Sequence, residues 1–176
     1  MNLSPTMQKF VLHWGEMGSR WGVNRTVAQI HALLFLANDP MNAEEISETL
    51  GVARSNVSTS LKELQSWGLV RVIHVMGDRR DHFDSQKDVW DIFFLIVEGR
   101  KKRELDPTLT TLRDCVLESE DDPETPQDTK RRIKETLIFL EQTTGWFDQM
   151  RRLERPTLLK LLKLGAKVQS LLGLRR

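Results

Sequence analysis

Tyrosine is absent from this chain of 176 residues, and cysteine occurs once, as Cys115. A single cysteine excludes an intrachain disulfide and fits a reducing compartment. Long hydrophobic runs are missing as well. The most apolar stretch, DIFFLIV, is far too short to span a bilayer. The opening MNLSPTMQKFVLHWGEMG lacks a basic segment, a long apolar run and a cleavage site, so it does not read as a signal peptide. The expectation is a cytoplasmic protein with no membrane contact. Neither sign of charge dominates. A net charge of +1 implies no acidic partner for the chain as a whole, so any nucleic-acid binding must come from a local patch. There is no phosphate-binding glycine loop, metal signature or nucleophile–base motif, and neither an enzyme nor a cofactor is expected.

What remains is ordinary for a globular domain: 39% hydrophobic and 29% charged residues. Ser4 and Pro5 read as a helix start, followed by Met7, Phe10, Val11 and Trp14 at helical spacing, with Gly15, Gly18 and Gly22 interrupting it. A second helix is predicted from about Asn24 to Ala37, ended by Asn38-Asp39-Pro40. Asn42 is the expected N-cap of a short third helix, AEEISETL, with acids in its first turn and Gly51 at its end. A fourth runs from Arg54 to Trp67. LVRVIHV then reads as a strand, GDRRD as a charged tip, and His82-Phe83 as a short return strand, making a two-stranded hairpin. From Asp88 a long helix is predicted up to Pro107, then a helical piece from Leu109 to Leu117. The acidic break ESEDDPETPQD follows, then a helix over Thr129–Leu153 and a leucine-rich helix opened by Pro156. Helix, turn with glycine, helix and hairpin, in that order, make a winged helix-turn-helix.

On a wheel of about 100° per residue, Val57, Leu61 and Leu64 of the fourth helix share the packing side. Ser55, Thr59, Lys62 and Ser66 face away, flanked by Ser58, and Arg54 and Asn56 lie in the first turn. A recognition helix reads bases with its N-terminal residues. Short hydroxyls allow close approach to phosphates, and Arg and Asn suit bidentate base contacts. A solvated polar face would look the same on the wheel. Arg79 and Arg80 at the hairpin tip favour DNA, because a wing probes a minor groove or its phosphates.

The stretch ARSNVSTSLKELQSWGLVRV followed by GDRRDHF resembles the GbsR-type branch of the MarR-like winged helix-turn-helix regulators. So does HWGEMGSRWGVNRTVAQIHALLFLANDPMNAEEISETLGV upstream. The resemblance covers about Phe10 to Trp90 and weakens beyond. It implies a mainly α fold with a small β-hairpin wing and C-terminal dimerisation helices. Residues 1–90 would form the DNA-binding domain, with the first helix contributing to dimerisation, and 91–176 a helical dimerisation and effector region. It also implies a homodimer, a repressor or other regulator, on a two-fold site in double-stranded DNA. By motif match, Arg54, Asn56, Val57 and Ser58 fall in the start of the recognition helix, and Gly77, Asp78 and Arg79 in the wing. Some members of the branch sense choline or glycine betaine through aromatic faces. Trp90, Phe93 and Phe94 lie in the corresponding region as a candidate small-molecule effector pocket, although core packing is the favoured explanation for them and there is no tyrosine.

Other constellations have plainer readings. His74, Asp78, Asp81 and His82 suit turn formation and phosphate contact better than zinc. His13 and His31 read as core or boundary residues, and Cys115 as a buried small hydrophobe. In the last helix Leu158, Leu161, Gly165, Val168 and Leu172 form a seam that reads as a dimer contact. Lys160, Lys163 and Lys167 lie on another face, so a basic amphipathic membrane helix is the alternative.

Overall fold

The computed structural model describes the backbone of residues 1–171 and the side chains of residues 1–164. The chain divides into two compact units, Met1–Gly99 and Arg100–Arg176. The first holds the winged helix-turn-helix, and the second is helical.

Helix α1 spans Pro5–Arg20, with Pro5 in its first turn and the Ser4 hydroxyl accepting the Met7 N–H. The expected interruption at Gly15 and Gly18 does not occur, and the helix runs through both. A mid-helix glycine costs about 1 kcal/mol relative to alanine. Here the missing side chains admit the next helix, α2 (Arg25–Leu36). A Cβ on Gly15 would lie 2.6 Å from Gln29 Cγ, and one on Gly18 2.6 Å from Ala28 Cβ. Gly22, with φ +76, then reverses the chain. Asn24 caps α2 by accepting the Thr26 N–H at 2.8 Å. Val27, Ile30, Leu33 and Leu34 of α2 form the middle of the core.

Helix α3 (Ala43–Leu50) starts as its sequence requires. Asn42 Oδ1 accepts the Glu44 and Glu45 N–H groups, and Glu45 accepts the Asn42 N–H in return, a reciprocal capping box. Gly51 takes the left-handed conformation, φ +64, that ends the helix. The Ser47 hydroxyl donates to Val52 O at 2.6 Å and secures the turn into α4 (Arg54–Ser66).

The sheet has three strands rather than two. β1 (Met41–Asn42) joins β2 (Val70–His74) and β3 (Asp81–Ser85) in the order β1-β3-β2, antiparallel throughout. Phe83 faces Met41 on one side and Val72 on the other. Two residues, one of them a helix cap, carry no period-2 signal, so β1 is invisible in the sequence. Helix α5 (Val89–Arg100) is capped by Asp88, which accepts the Trp90 and Asp91 N–H groups, and it buries Ile92.

In the second unit, Pro107 does not halt the chain as expected. A π-helical turn, Lys101–Leu105, precedes helix α6 (Asp106–Asp121), and Asp106 N–H donates to Lys101 O. Pro107 sits in the first turn of α6, where its missing N–H is tolerated, and the wider turn before it replaces the regular helical bond pattern. Helix α7 (Gln127–Arg151) packs on α6, with Leu109 and Leu137 buried. Ion pairs join Arg113 to Glu141 at 2.8 Å and Lys101 to Asp106 and Asp148 at 3.2 and 3.7 Å. Cys115 is half-buried, not buried as expected. Helix α8 covers Arg155–Leu171. Leu158 is buried and Leu161 exposed. The surroundings of Gly165, Lys167 and Val168, and all of Leu172, lie outside the described residues. No described helix is long and apolar enough to cross a membrane.

Candidate nucleic-acid interface

Helix α4 is sided as its wheel predicts. Val57, Leu61 and Leu64 are buried against the core, joined by Ser60, and Arg54, Ser55, Asn56, Ser58, Thr59 and Lys62 are all exposed. The Thr59 hydroxyl donates back to Ser55 O at 3.1 Å, which leaves its oxygen lone pairs outward. Helices α1, α2 and α3 each have a side-chain cap at the N-terminus. Helix α4 does not, because Ala53 stands at its N-cap position. Its first N–H groups, at the positive end of the helix dipole, are left without a side-chain acceptor.

The wing stands beside this helix. Arg54, Ser58, Lys62 and Gln65 of α4 share a cleft of about 320 Å³ with Asn42, Ala43 and Glu44 at the start of α3 and with Val72, Arg80, Asp81 and Phe83 of the wing. Its floor is apolar, from Leu61, Val72 and Phe83, and its walls carry the charges.

The two tip arginines, alike in sequence, differ in structure. The Arg80 guanidinium is clamped on Asp78, with Nη2 2.6 Å from Oδ2 and Nε 3.0 Å from both oxygens. The Arg80 backbone N–H also donates to Asp78 Oδ1 at 2.9 Å, and Nη1 lies 3.6 Å from Glu44. These hydrogen bonds hold the Asp78 carboxyl far below the usual carboxylate range and push Arg80 up. Arg79 is exposed and has no ion pair or side-chain hydrogen bond among the described residues, and the same is true of Arg54 and Lys62. Sequence reasoning missed the clamp, although it carries a local signal: an Asp two residues before its partner is a common self-bonded turn.

The four wing groups weighed as zinc ligands pair off separately. His74 lies 3.9 Å from Asp81, and His82 Nε2 3.6 Å from Asp78. His82 Nδ1 is 3.0 Å from Arg80 O, which assigns its proton to that nitrogen. Trp90 and Phe94 stack at a tilt, 6.4 Å apart, and Phe93 meets Phe94 edge-on at 5.6 Å, a ladder along α5 with Phe93 half exposed. His13 is exposed on α1, whereas His31 is buried in α2.

One residue that sequence reasoning missed fastens the wing to the core. Lys87, just after β3, donates from Nζ to the carbonyls of Leu34, Phe35 and Ala37 at the C-terminal end of α2, with Ala37 at 2.7 Å and Phe35 at 3.4 Å. It lies 3.6 Å from Asp84, which also accepts from Arg71 at 2.9 Å. A cation on the last carbonyls of a helix satisfies orphan acceptors and the negative end of its dipole. No local pattern announces it, because Lys87 and Leu34 are 53 positions apart.

Comparison with known proteins agrees with this geometry. A family model described as MarR family matches residues 21–81, from just before α2 to the first residue of β3. The HTH-type transcriptional repressor GbsR of Bacillus subtilis is 25% identical over 139 residues, covering 76% of this chain and 75% of that protein. The HTH-type transcriptional repressor OpcR of the same organism is 20% identical over 137 residues, covering 76% and 74%. A crystal structure of a transcriptional regulator superposes with a TM-score of 0.60 at 20% identity, over 82% of this chain and 95% of the other.

Proposed function

We propose that this chain, a MarR-like and GbsR-like winged-helix regulator, represses transcription as a homodimer bound to a two-fold operator. Its relatives are transcriptional regulators, which supports DNA as the partner. The observation that carries the reading is the α4 face. Arg54, Asn56, Ser58 and Lys62 point outward from a helix whose N-terminus has no side-chain cap, next to a wing that presents Arg79.

In this reading α4 lies in a major groove. Arg54 and Asn56 read base edges, and Ser55, Ser58, Thr59 and Lys62 engage phosphates along with the open helix N-terminus. Arg79 enters the adjacent minor groove. Arg80 contributes less than its neighbour, because Asp78 already neutralises it. Residues 1–90 act as the DNA-binding part, and the helices after them as the dimerisation and effector part. Exposed apolar side chains on α6, α7 and α8, including Leu117, Phe139, Trp146 and Leu162, support an interface between two copies. The two half-sites then lie about one DNA turn apart. A small effector acts on such a dimer by binding one geometry better than another, and Trp90, Phe93 and Phe94 are where to look for it.

Selection of bound duplexes from a random pool tests the reading. A palindromic consensus with half-sites one turn apart supports it. Recovery of unenriched DNA at physiological salt overturns it in favour of a protein-binding winged helix.

A further inference from the structure

We propose that Met76, at the apex of the wing, is a specificity-determining residue. It enters the minor groove as an apolar wedge and reads how easily the base step beneath it opens. The inference rests on the DNA-binding reading above and adds to it a contact of a different kind from the charged ones.

Met76 is fully exposed, at 101% of its reference area, and Val75 beside it is 41% exposed. The apex is not a loose loop. Asp78 N–H donates to Val75 O at 3.1 Å and closes a four-residue turn. Gly77, with φ +85, stands at its third position, where a type II turn needs a backbone that side chains rarely adopt. Met76 is thereby left at the second position, the outermost point of the hairpin. Immediately beyond, the Asp78–Arg80 clamp fixes the return of the chain. A turn closed by a backbone hydrogen bond therefore holds up a large apolar side chain that is fully exposed and packs on none of the described residues.

Such a residue adds nothing to the folded core, and its fixed place at the apex next to Arg79 suits contact with an external partner. The surroundings select the partner's chemistry. Asp78 is neutralised by Arg80, so among the described residues the tip offers Arg79 as a cation with no ion pair, next to one thioether. A narrow minor groove attracts that cation. Apolar side chains, methionine among them, are inserted between base steps by minor-groove proteins, which unstack and kink the duplex. Methionine is unbranched and polarisable, and fits an irregular gap. The root of the same hairpin shares its cleft with Arg54, Ser58 and Lys62, which puts the wing alongside the helix that would occupy the neighbouring major groove.

The test uses the full-length protein and the duplex it selects from a random pool, with 2-aminopurine placed at successive flanking positions. Binding by the native protein should raise fluorescence at one flanking step in each half-site. Met76→Ala should abolish that rise, weaken binding about tenfold and flatten base preference at the flank, with an unchanged salt slope. Met76→Leu should restore most of the affinity. Arg79→Ala should instead lower the salt slope. If the native protein selects a duplex but Met76→Ala binds it with equal affinity, preference and fluorescence, the wedge is overturned while the DNA-binding reading stands. If the native protein selects no sequence, the DNA-binding reading itself fails. The tip lies outside the core, and matching circular dichroism and thermal melts of variant and native protein establish that folding is intact.

Discussion

Lowering the pH should destabilise this fold through one residue, His31. It is 4% exposed in the middle of α2, and its Nε2 has no hydrogen-bond partner among the described residues. Burial, and secondarily the positive charge of Lys87, push its pKa down from 6.5 to about 4. In the unfolded chain the imidazole binds its proton near pH 6.5, but the folded protein resists doing so until about pH 4. Between these values the unfolded state holds more protons, so stability is complete above pH 6.5 and declines as the pH falls. A tenfold difference in proton affinity between the two states is worth about 1.4 kcal/mol, so crossing the full window removes about 3 kcal/mol. That is a large part of the stability of an ordinary domain. Urea unfolding at fixed protein concentration, from pH 7.5 to 4.5, measures the effect for the native protein and for His31→Leu. Carboxylate titrations are common to both and cancel in the difference, leaving a slope confined to the region below pH 6.5. Parallel stability curves for the two proteins across that window would refute the reasoning.

Four further outcomes follow from the same contacts. Lys87→Met removes the cation on the α2 carbonyls and should cost about 1 kcal/mol. It should also raise the His31 pKa, seen by NMR titration of the imidazole, because Lys87 is one of the causes that lower it. Gly18→Val should destabilise by about 1–3 kcal/mol in thermal or urea unfolding, since a Cβ there already meets Ala28 at 2.6 Å. Arg54→Ala or Asn56→Ala should relax base preference in a competition between selected and scrambled duplexes, at about 1–3 kcal/mol for each lost bidentate contact. Arg79→Ala should reduce the salt slope of binding by about one per protomer, and Arg80→Ala by less, because Asp78 already holds that charge. Equal reductions would contradict the distinction drawn between the two arginines.

Much of the winged-helix unit was legible without coordinates, because its signals are local. The Ser4, Asn24 and Asn42 caps act on N–H groups two or three residues away. Gly51 ends α3 through its own backbone angle. The sidedness of α4 is a direct consequence of helical period, which is why Val57, Leu61 and Leu64 are buried and Arg54, Asn56 and Lys62 are not. Elsewhere the deciding partner was remote or the local rule had an exception. Gly15 and Gly18 look like helix breakers until Gln29 and Ala28 are set against them. Pro107 looks like a stop until the π-turn before it takes up the change in bonding.

The sequence by itself determined most of the helices, the β2–β3 hairpin and which side of α4 faces out, because periodicity and capping act within a few residues along one chain. Only the tertiary structure decided which charges of the wing beside that face are paired. Arg79 and Arg80 are adjacent and chemically identical, yet among the described residues Arg79 has no ion pair while Arg80 is held between Asp78 and Glu44. Lys87 reads as one more surface cation until folding brings it onto the end of α2. A charge acts through its distance to other charges, and those distances exist only once the chain has folded.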